Sequence, residues 1–334
     1  MIRPAAAVRT SAPVRLDLAG AWTDVAPFAT EARGVVVNAA LELRTHVELE
    51  PQQDRYRLRA DDLGDQVEAM SVAGLAADGR LDLLKAVIRR SGIGPCSLRT
   101  TAAAPPGSGL GSSGALAVAL VYAIAASRGE QPSAIECAEE AWEMETIDAA
   151  VPGGRQDQYA AAVGGIQHLV FDHGVTRARP LDVEPAFADE LAAHTVVCYT
   201  GRSRFSGDTI TRVMRAYADG DRVVVGALHA LSDLGDAMAD AMTRADLAAV
   251  ARLLSANWQE QQKLDRGMCT PEMARLEAAM FAAGATGGKA AGAGAGGSMF
   301  FVVPGDVIPA VAAARQSGAA VLPVVWARHG VMRE

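Results

Sequence analysis

PPGSGLGSSGALAVALVYAIAAS, Pro105 to Ser127, joins a glycine and serine loop directly to a long uncharged run of helical character. Gly107, Gly109 and Gly111 permit backbone conformations closed to other residues. The amides at the start of the following helix direct their dipoles at an anion. Ser108, Ser112 and Ser113 add hydroxyls for phosphate oxygens or a cation. A Walker loop ends in Gly-Lys-Ser or Gly-Lys-Thr, and no lysine follows here, so a different phosphate cradle is implied. The competing reading is a flexible turn before a core helix.

The 334 residues suggest two domains, and a chain that is 50% hydrophobic can bury substantial cores. The formal charge of -8 argues against a general binder of nucleic acid or anionic membrane, while leaving room for a small anionic substrate in a local basic pocket. Cys96, Cys137, Cys198 and Cys269 form no short paired spacing, which speaks against a zinc site or a disulfide scaffold. The N-terminus lacks a sustained apolar stretch, and the longest apolar run, Ala115 to Ala126, is too short to span a bilayer. A cytoplasmic protein is expected.

Around the loop the order is β-loop-α. Val14 to Leu18 alternates about Arg15 and Asp17, and Val35 to Leu49 mixes β-branched residues with alternating charges, so the chain starts with strands. A helix near Leu81 to Arg90 and a strand around Ser97 to Thr101 precede the loop. A second helix, Ser133 to Thr146, is broken by Pro152, Gly153 and Gly154 before a short helix and a strand from Ile166, which sets Asp157 near a loop. His194 to Tyr199 reads as a strand, and Asp208 to Asp265 has helical period. Thr270 can cap a helix with Pro271 first and Glu272 in its first turn. GATGGKAAGAGAGGSMFFVV reads as a packed glycine turn leading into an apolar strand, with a disordered linker as the alternative.

Three segments in this order, APVRLDLAGAWTD, PPGSGLGSSGAL and GATGGKAAGAGAGGSMFF, with GGRQDQYAAA between the second and third, resemble the motifs of the GHMP small-molecule kinases over nearly the whole chain. GRQDQYAAAVGG and YTGRSRFSGD look like segments of D-glycero-D-manno-heptose 7-phosphate kinases. The first motif departs from them: Gly20-Ala21-Trp22-Thr23-Asp24 stands where those enzymes commonly show GGGTD, and tryptophan there is more frequent in L-fucose kinases. The resemblance implies a two-domain α+β GHMP kinase fold. Residues 1–185 would form an ATP-binding domain resembling ribosomal protein S5 domain 2, and residues 186–334 a ferredoxin-like C-terminal domain, with the substrates meeting between them.

The same resemblance assigns roles residue by residue. Pro106, Gly107, Ser108, Gly109, Leu110, Gly111, Ser112 and Ser113 would cradle ATP, and Ser113 with Glu145 would bind Mg2+, a cation that prefers hard oxygens and retains waters. Glu143 and Glu139 are alternatives for the metal-facing carboxylate. Asp157 is the expected catalytic residue, accepting or orienting the proton of the acceptor hydroxyl, and Arg15 would stabilise developing charge, since a guanidinium is not a base. Asp24 would bind sugar hydroxyls with Trp22 over a sugar face and Thr23 beside them, Thr200, Gly201, Arg202 and Arg204 would reach the substrate, the arginine forks suited to a remote phosphate, and Gly292 and Gly294 would bind substrate by letting their loop pack closely beside the site. Lys289 and the six histidines carry no spacing that demands a site.

The expected function is ATP-dependent phosphorylation of the anomeric hydroxyl of a sugar or sugar phosphate, first D-glycero-D-manno-heptose 7-phosphate to the 1,7-bisphosphate. L-fucose or another free sugar is the alternative acceptor, and a catalytically idle sugar and nucleotide sensor the alternative of another class. Nucleic acid and membrane are not expected partners; a homodimer is compatible.

Overall fold

The computed structural model describes residues 6–201 and 206–334. The alternating N-terminal segments form β1 (Val8–Ala19) and the long β2 (Arg33–Pro51), separated by the GAWTD turn and a short helix α1 (Phe28–Glu31). Next come β3 (Tyr56–Ala60), β4 (Asp65–Ala69), α2 (Asp82–Ser91) and β5 (Cys96–Ala102). The glycine loop then leads into α3 (Ser112–Ser127) and α4 (Ala134–Glu143), which widens into a π turn over Met144–Asp148. Helix α5 (Gln156–Val163) and strands β6 (Ile166–Asp172) and β7 (Val175–Pro180) complete the first half.

The second half runs α6 (Pro185–Ala193), β8 (Thr195–Tyr199), α7 (Ser206–Ala218), α8 (Arg222–Thr243), α9 (Leu247–Gln262) and α10 (Pro271–Ala282). It ends in β9 (Gly287–Ala290), β10 (Ser298–Val302), α11 (Ile308–Gln316), β11 (Ala320–Leu322) and β12 (Met332–Arg333).

Two sheets organise these elements. In the first, the order is β12-β1-β2-β5-β3-β4, and β2 is long enough to hold β5 along Thr45–Pro51 and β6 along Arg33–Ala39. Helix α3 packs against β1 and β2. It is apolar on every side because nearly every side is covered, with Leu116 and Tyr122 half-buried and most of the others buried. The second sheet, β11-β8-β10-β9, is antiparallel throughout and has the 4-1-3-2 order of a ferredoxin-like βαββαβ unit. The chain is therefore α+β with two sheets and two cores. Strand β12 returns to the first sheet, with Thr10 opposite Arg333, so the last residues are tied to the N-terminal half.

Local chemistry sets several boundaries. Ser133 and Glu136 cap α4 reciprocally, and the Thr270 hydroxyl accepts from the Met273 amide at 3.2 Å to start α10. The glycine-rich segment expected as a turn is in part a strand. A Cβ on Gly287 would lie 1.8 Å from Ala251 O of α9, and one on Gly288 would lie 2.2 Å from the Phe301 ring. These glycines leave room for a helix and an aromatic ring directly against the backbone, so β9 has the composition of a loop.

Lys289 of β9 is fully buried and reaches across to β1, where its ammonium donates to Asp17 O at 2.9 Å and forms a short ion pair with the Asp17 carboxylate. Burial holds the Lys289 pKa below its ordinary value. Lys289→Met leaves a buried carboxylate without its cation and is expected to lower the unfolding free energy by about 3–5 kcal/mol. Adding Asp17→Asn removes that charge and is expected to recover most of the loss. Urea unfolding of both variants checks this; equal destabilisation by the single and double changes would contradict it.

Candidate active site

A cavity of about 360 Å³ opens between the two halves. Its walls are the glycine loop, the GAWTD turn, the segment from Val151 through α5, and the glycine-rich loop between β9 and β10.

Gly107, Gly109 and Gly111 all have positive φ, at 67°, 74° and 78°. Gly111 is the N-cap of α3 and offers no capping side chain, so the first amides of that helix lack the usual internal acceptor. The Ser108 and Ser112 hydroxyls are buried and have no partner among the described residues. Free amides, orphaned hydroxyls and a helix N-terminus together make an anion cradle. Of the eight loop residues expected to hold phosphate, Pro106 and Leu110 do not line the cavity. Pro106 O instead accepts from the Tyr199 hydroxyl at 3.2 Å, and Leu110 is a core side chain whose carbonyl accepts from the Arg15 amide at 2.8 Å.

Arg15 is buried at the centre. Its Nη1 donates to Gly109 O at 2.7 Å and Ala291 O at 3.1 Å, while Nε and Nη2 approach Asp157 Oδ1 at 2.8 and 2.7 Å. Both nitrogens converge on one carboxylate oxygen, which leaves Oδ2 beside the glycine loop: a Cβ on Gly111 would lie 3.2 Å from it. Gly114, where a Cβ would lie 2.7 Å from Asp157 Cβ, lets α3 and α5 approach this closely. Asp157 occupies the first turn of α5. The register of β1 against β2 shifts between Pro13 and Val14 and again between Asp17 and Ala19, so irregularities flank Arg15 and Asp17 and set where their side chains aim.

Glu145 sits in the π turn, buried, with the Ser113 hydroxyl in short contact with Oε1 and Gln158 Nε2 donating to Oε2 at 2.6 Å. Burial, with the Asp157 charge adding to it, raises the Glu145 pKa to about 7. The two alternatives are engaged elsewhere: Glu139 holds Arg155 and the Tyr159 hydroxyl, and Glu143 pairs with Arg90. Gln158 went unassigned in the sequence although it immediately follows the Asp157 pair in GGRQDQ; its buried amide is what faces Glu145 on the side away from Ser113.

In the GAWTD turn, Asp24 and Trp22 line the cavity and Thr23 does not. Asp24 is buried, accepts from the Gln156 amide at 3.1 Å, and lies so near Gly154 that a Cβ there would be 1.9 Å from Oδ2. Burial, reinforced by Asp157 and Asp17, raises its pKa to about 6. Trp22 has a positive φ of 80° and also packs into the second core. Thr23 is fully buried, and its hydroxyl donates to Gly20 O at 2.7 Å and accepts from the Val35 amide at 3.0 Å, so it shapes the turn.

Gly292 and Gly294 line the cavity as expected, with Gly292 against Gly109 O and Gly294 against Met268. Thr200 and Gly201 are not in the lining; the Thr200 amide and hydroxyl both donate to Gly297 O, at 3.0 and 2.7 Å, tying β8 to the same loop. Arg202 and Arg204 lie outside the described residues. Among the described residues no group of three His, Cys, Asp or Glu side chains is arranged to hold a metal. No helix among them is long and apolar enough to cross a membrane.

Comparison with known proteins agrees with this geometry. The GHMP kinases N terminal domain matches residues 80–165 and the GHMP kinases C terminal domain matches residues 238–320. The chain is 33% identical over 304 residues to the D-glycero-alpha-D-manno-heptose 7-phosphate kinase of Campylobacter jejuni, covering 89% of each. It is 25% identical to the bifunctional fucokinase/GDP-fucose pyrophosphorylase of Arabidopsis thaliana, covering 85% of this chain but 29% of that protein. The crystal structure of a D-glycero-D-manno-heptose 1-phosphate kinase from Bacteroides thetaiotaomicron superposes with a TM-score of 0.80 at 28% identity, covering 98% of both chains. With both family domains in order, a relative matched along most of its length and an anion cradle beside a carboxylate, the chain belongs to the GHMP kinases and is a phosphotransferase with a hydroxyl acceptor, for which the family implies ATP as donor.

Proposed function

We propose that this kinase phosphorylates the anomeric hydroxyl of D-glycero-D-manno-heptose 7-phosphate, giving the 1,7-bisphosphate. The match to a heptose 7-phosphate kinase over 89% of both chains carries the choice of acceptor. A free-sugar kinase acting on L-fucose is second, favoured by Trp22 in the cavity wall. Arg15 is the one cation among the described residues lining the cavity, and its donors already face Gly109, Ala291 and Asp157. The phosphate already on the acceptor is therefore assigned, on sequence grounds, to Arg202 and Arg204. We assign the enzyme to the cytoplasm, and its two domains to residues 1–185 and 186–334 apart from the returning β12.

In this reading the ATP phosphates lie on the amides at the start of α3 and on the Ser108 and Ser112 hydroxyls. Asp157 orients the acceptor hydroxyl through Oδ2 and takes its proton as phosphoryl transfer proceeds. Arg15 prevents rotation of that carboxylate by holding Oδ1, and places fixed positive charge beside the transferring group. Ser113 and Glu145 fit Mg2+: they are hard oxygens in direct contact, and the carboxylate is buried with no cation paired to it among the described residues. A Mg2+ ion held by Ser113 and Glu145 would supply charge neutralisation for the phosphate oxygens. Asp24, with the sugar above Trp22, accepts hydrogen bonds from sugar hydroxyls.

Phosphorus NMR with Mg-ATP and parallel acceptors tests the assignment. A new anomeric phosphate on the heptose 7-phosphate is expected; efficient transfer only to L-fucose or another free sugar would overturn the choice of acceptor. Asp157→Asn is expected to lower kcat by roughly 10²–10⁴-fold with the unfolding midpoint unchanged. Near-normal turnover in the folded variant would remove Asp157 from the reaction.

The raised carboxyl groups give a pH signature. Unfolded Asp and Glu lose their protons near pH 4, whereas folded Asp24 and Glu145 retain theirs to about 6 and about 7. Between those limits these two groups bind fewer protons in the unfolded chain, so their contribution to the stability of the ligand-free protein falls as pH rises from about 4 to about 7 and levels off above. Glu145→Gln is expected to flatten the upper part of that fall in thermal unfolding series. If Glu145 holds Mg2+, binding of Mg-ATP would displace its proton, so calorimetry at pH 6 in buffers of different ionisation enthalpy is expected to show proton release that Glu145→Gln abolishes. Release that is unaffected by this substitution would contradict the assignment.

A further inference from the structure

Helix α9 contributes nothing to the cavity wall, yet two of its side chains reach the loops that form it. Asn257 and Gln261 lie one turn apart, and both are 0% exposed. Asn257 Oδ1 accepts from the Gly20 amide, at the start of the GAWTD turn, at 2.9 Å. Gln261 Nε2 donates to Gly292 O, in the loop between β9 and β10, at 2.8 Å. The loop atoms fix both amide orientations, because Gly20 presents an N–H and Gly292 a carbonyl. Asn257 Nδ2 and Gln261 Oε1 have no partner among the described residues. A buried amide with half its capacity unmatched destabilises a fold that apolar side chains at the same positions would favour. The retained bonds to the two loops are what these amides provide.

Neither loop has slack. Gly20 has φ +88°, a Cβ on it would lie 1.8 Å from Val35 O, and its carbonyl accepts from both the amide and the hydroxyl of Thr23. Displacing its amide therefore moves Trp22 and Asp24 with it. On the other side, a Cβ on Gly292 would lie 2.4 Å from Gly109 O, and the Ser298 amide donates to Ser108 O at 2.7 Å, so this loop buttresses the glycine loop.

We propose that Asn257 and Gln261 are positioning residues, with Asn257 fixing the acceptor side of the cavity and Gln261 the nucleotide side, so that α9 sets the spacing between the two substrates. The inference rests on the reading that the GAWTD turn holds the acceptor and the glycine loop holds ATP. The test is steady-state kinetics of the full chain carrying Asn257→Leu, Asn257→Asp or Gln261→Met, alongside displacement of a fluorescent ATP analogue. Asn257→Leu is expected to raise the acceptor KM roughly tenfold while the ATP KM stays within about twofold, the size expected for losing one buried hydrogen bond to a positioned loop. Asn257→Asp retains the oxygen facing Gly20 and is expected to restore the acceptor KM to within about threefold. Gln261→Met is expected to do the reverse of Asn257→Leu, weakening ATP and the analogue while sparing the acceptor. If Asn257→Leu does not fold, Asn257→Ser, too short to reach Gly20, carries the same expectation.

The two constants rising together, or neither changing in folded variants, would overturn the inference. A wild-type enzyme that transfers phosphate to none of the acceptors would instead defeat the functional reading. Analogue displacement would still then decide between α9 as a spacer, with Gln261→Met weakened and Asn257→Leu unchanged, and α9 as mere core, with both alike.

Discussion

The Arg15 guanidinium is the point through which distant parts of the chain are brought into one site. Its partners Gly109, Asp157 and Ala291 are 94, 142 and 276 residues away in sequence. A planar fork with fixed donors can meet two carbonyls and one carboxylate oxygen at once; a lysine ammonium on a flexible stem cannot hold the same angles. Between its two register shifts β1 runs in unbroken register from Val14 to Asp17, so Arg15 and Asp17, two residues apart, share one face and meet Asp157 and Lys289 there. Loop, strand, helix and glycine-rich segment are each positioned against this one group.

Around that cation the cavity gathers acid. Asp24, Glu145 and Asp157 lie in its wall, and two of them are buried deeply enough that their pKa values rise to about 6 and about 7. Such groups reduce the stability of the free protein near neutral pH and supply oxygens where a cation, a hydroxyl and a moving proton must be met. Behind them the Asp17 and Lys289 pair carries a second buried charge across from β1 to β9, so the two halves of the chain are joined by charge as well as by apolar packing. The active site is the part of the fold in which stability is given up for chemistry.

Much of this was legible in the sequence, and the limits have physical causes. Helix α3 was readable because its all-apolar run allows no other buried state of that length, and α10 because Thr270, Pro271 and Glu272 mark its start. Strand β9 was hidden because glycine there answers to the helix and ring above it, and not to strand propensity. The choice among Glu139, Glu143 and Glu145 depends on a π turn that carries no periodic signal. The inward turn of the Thr23 hydroxyl to Gly20 and Val35 carries no signal in GAWTD. Asn257 and Gln261 look like ordinary polar positions of a helix until the loops they touch are folded against them.

A crystal structure of the enzyme with a nonhydrolysable ATP analogue, Mg2+ and D-glycero-D-manno-heptose 7-phosphate tests the central claim most directly. The anomeric hydroxyl is expected within hydrogen-bond distance of Asp157 Oδ2, with Arg15 still holding Oδ1 and the terminal phosphate on the glycine loop facing that hydroxyl. An acceptor hydroxyl bound away from Asp157, or an Arg15 that has released Oδ1 to another partner, would contradict it.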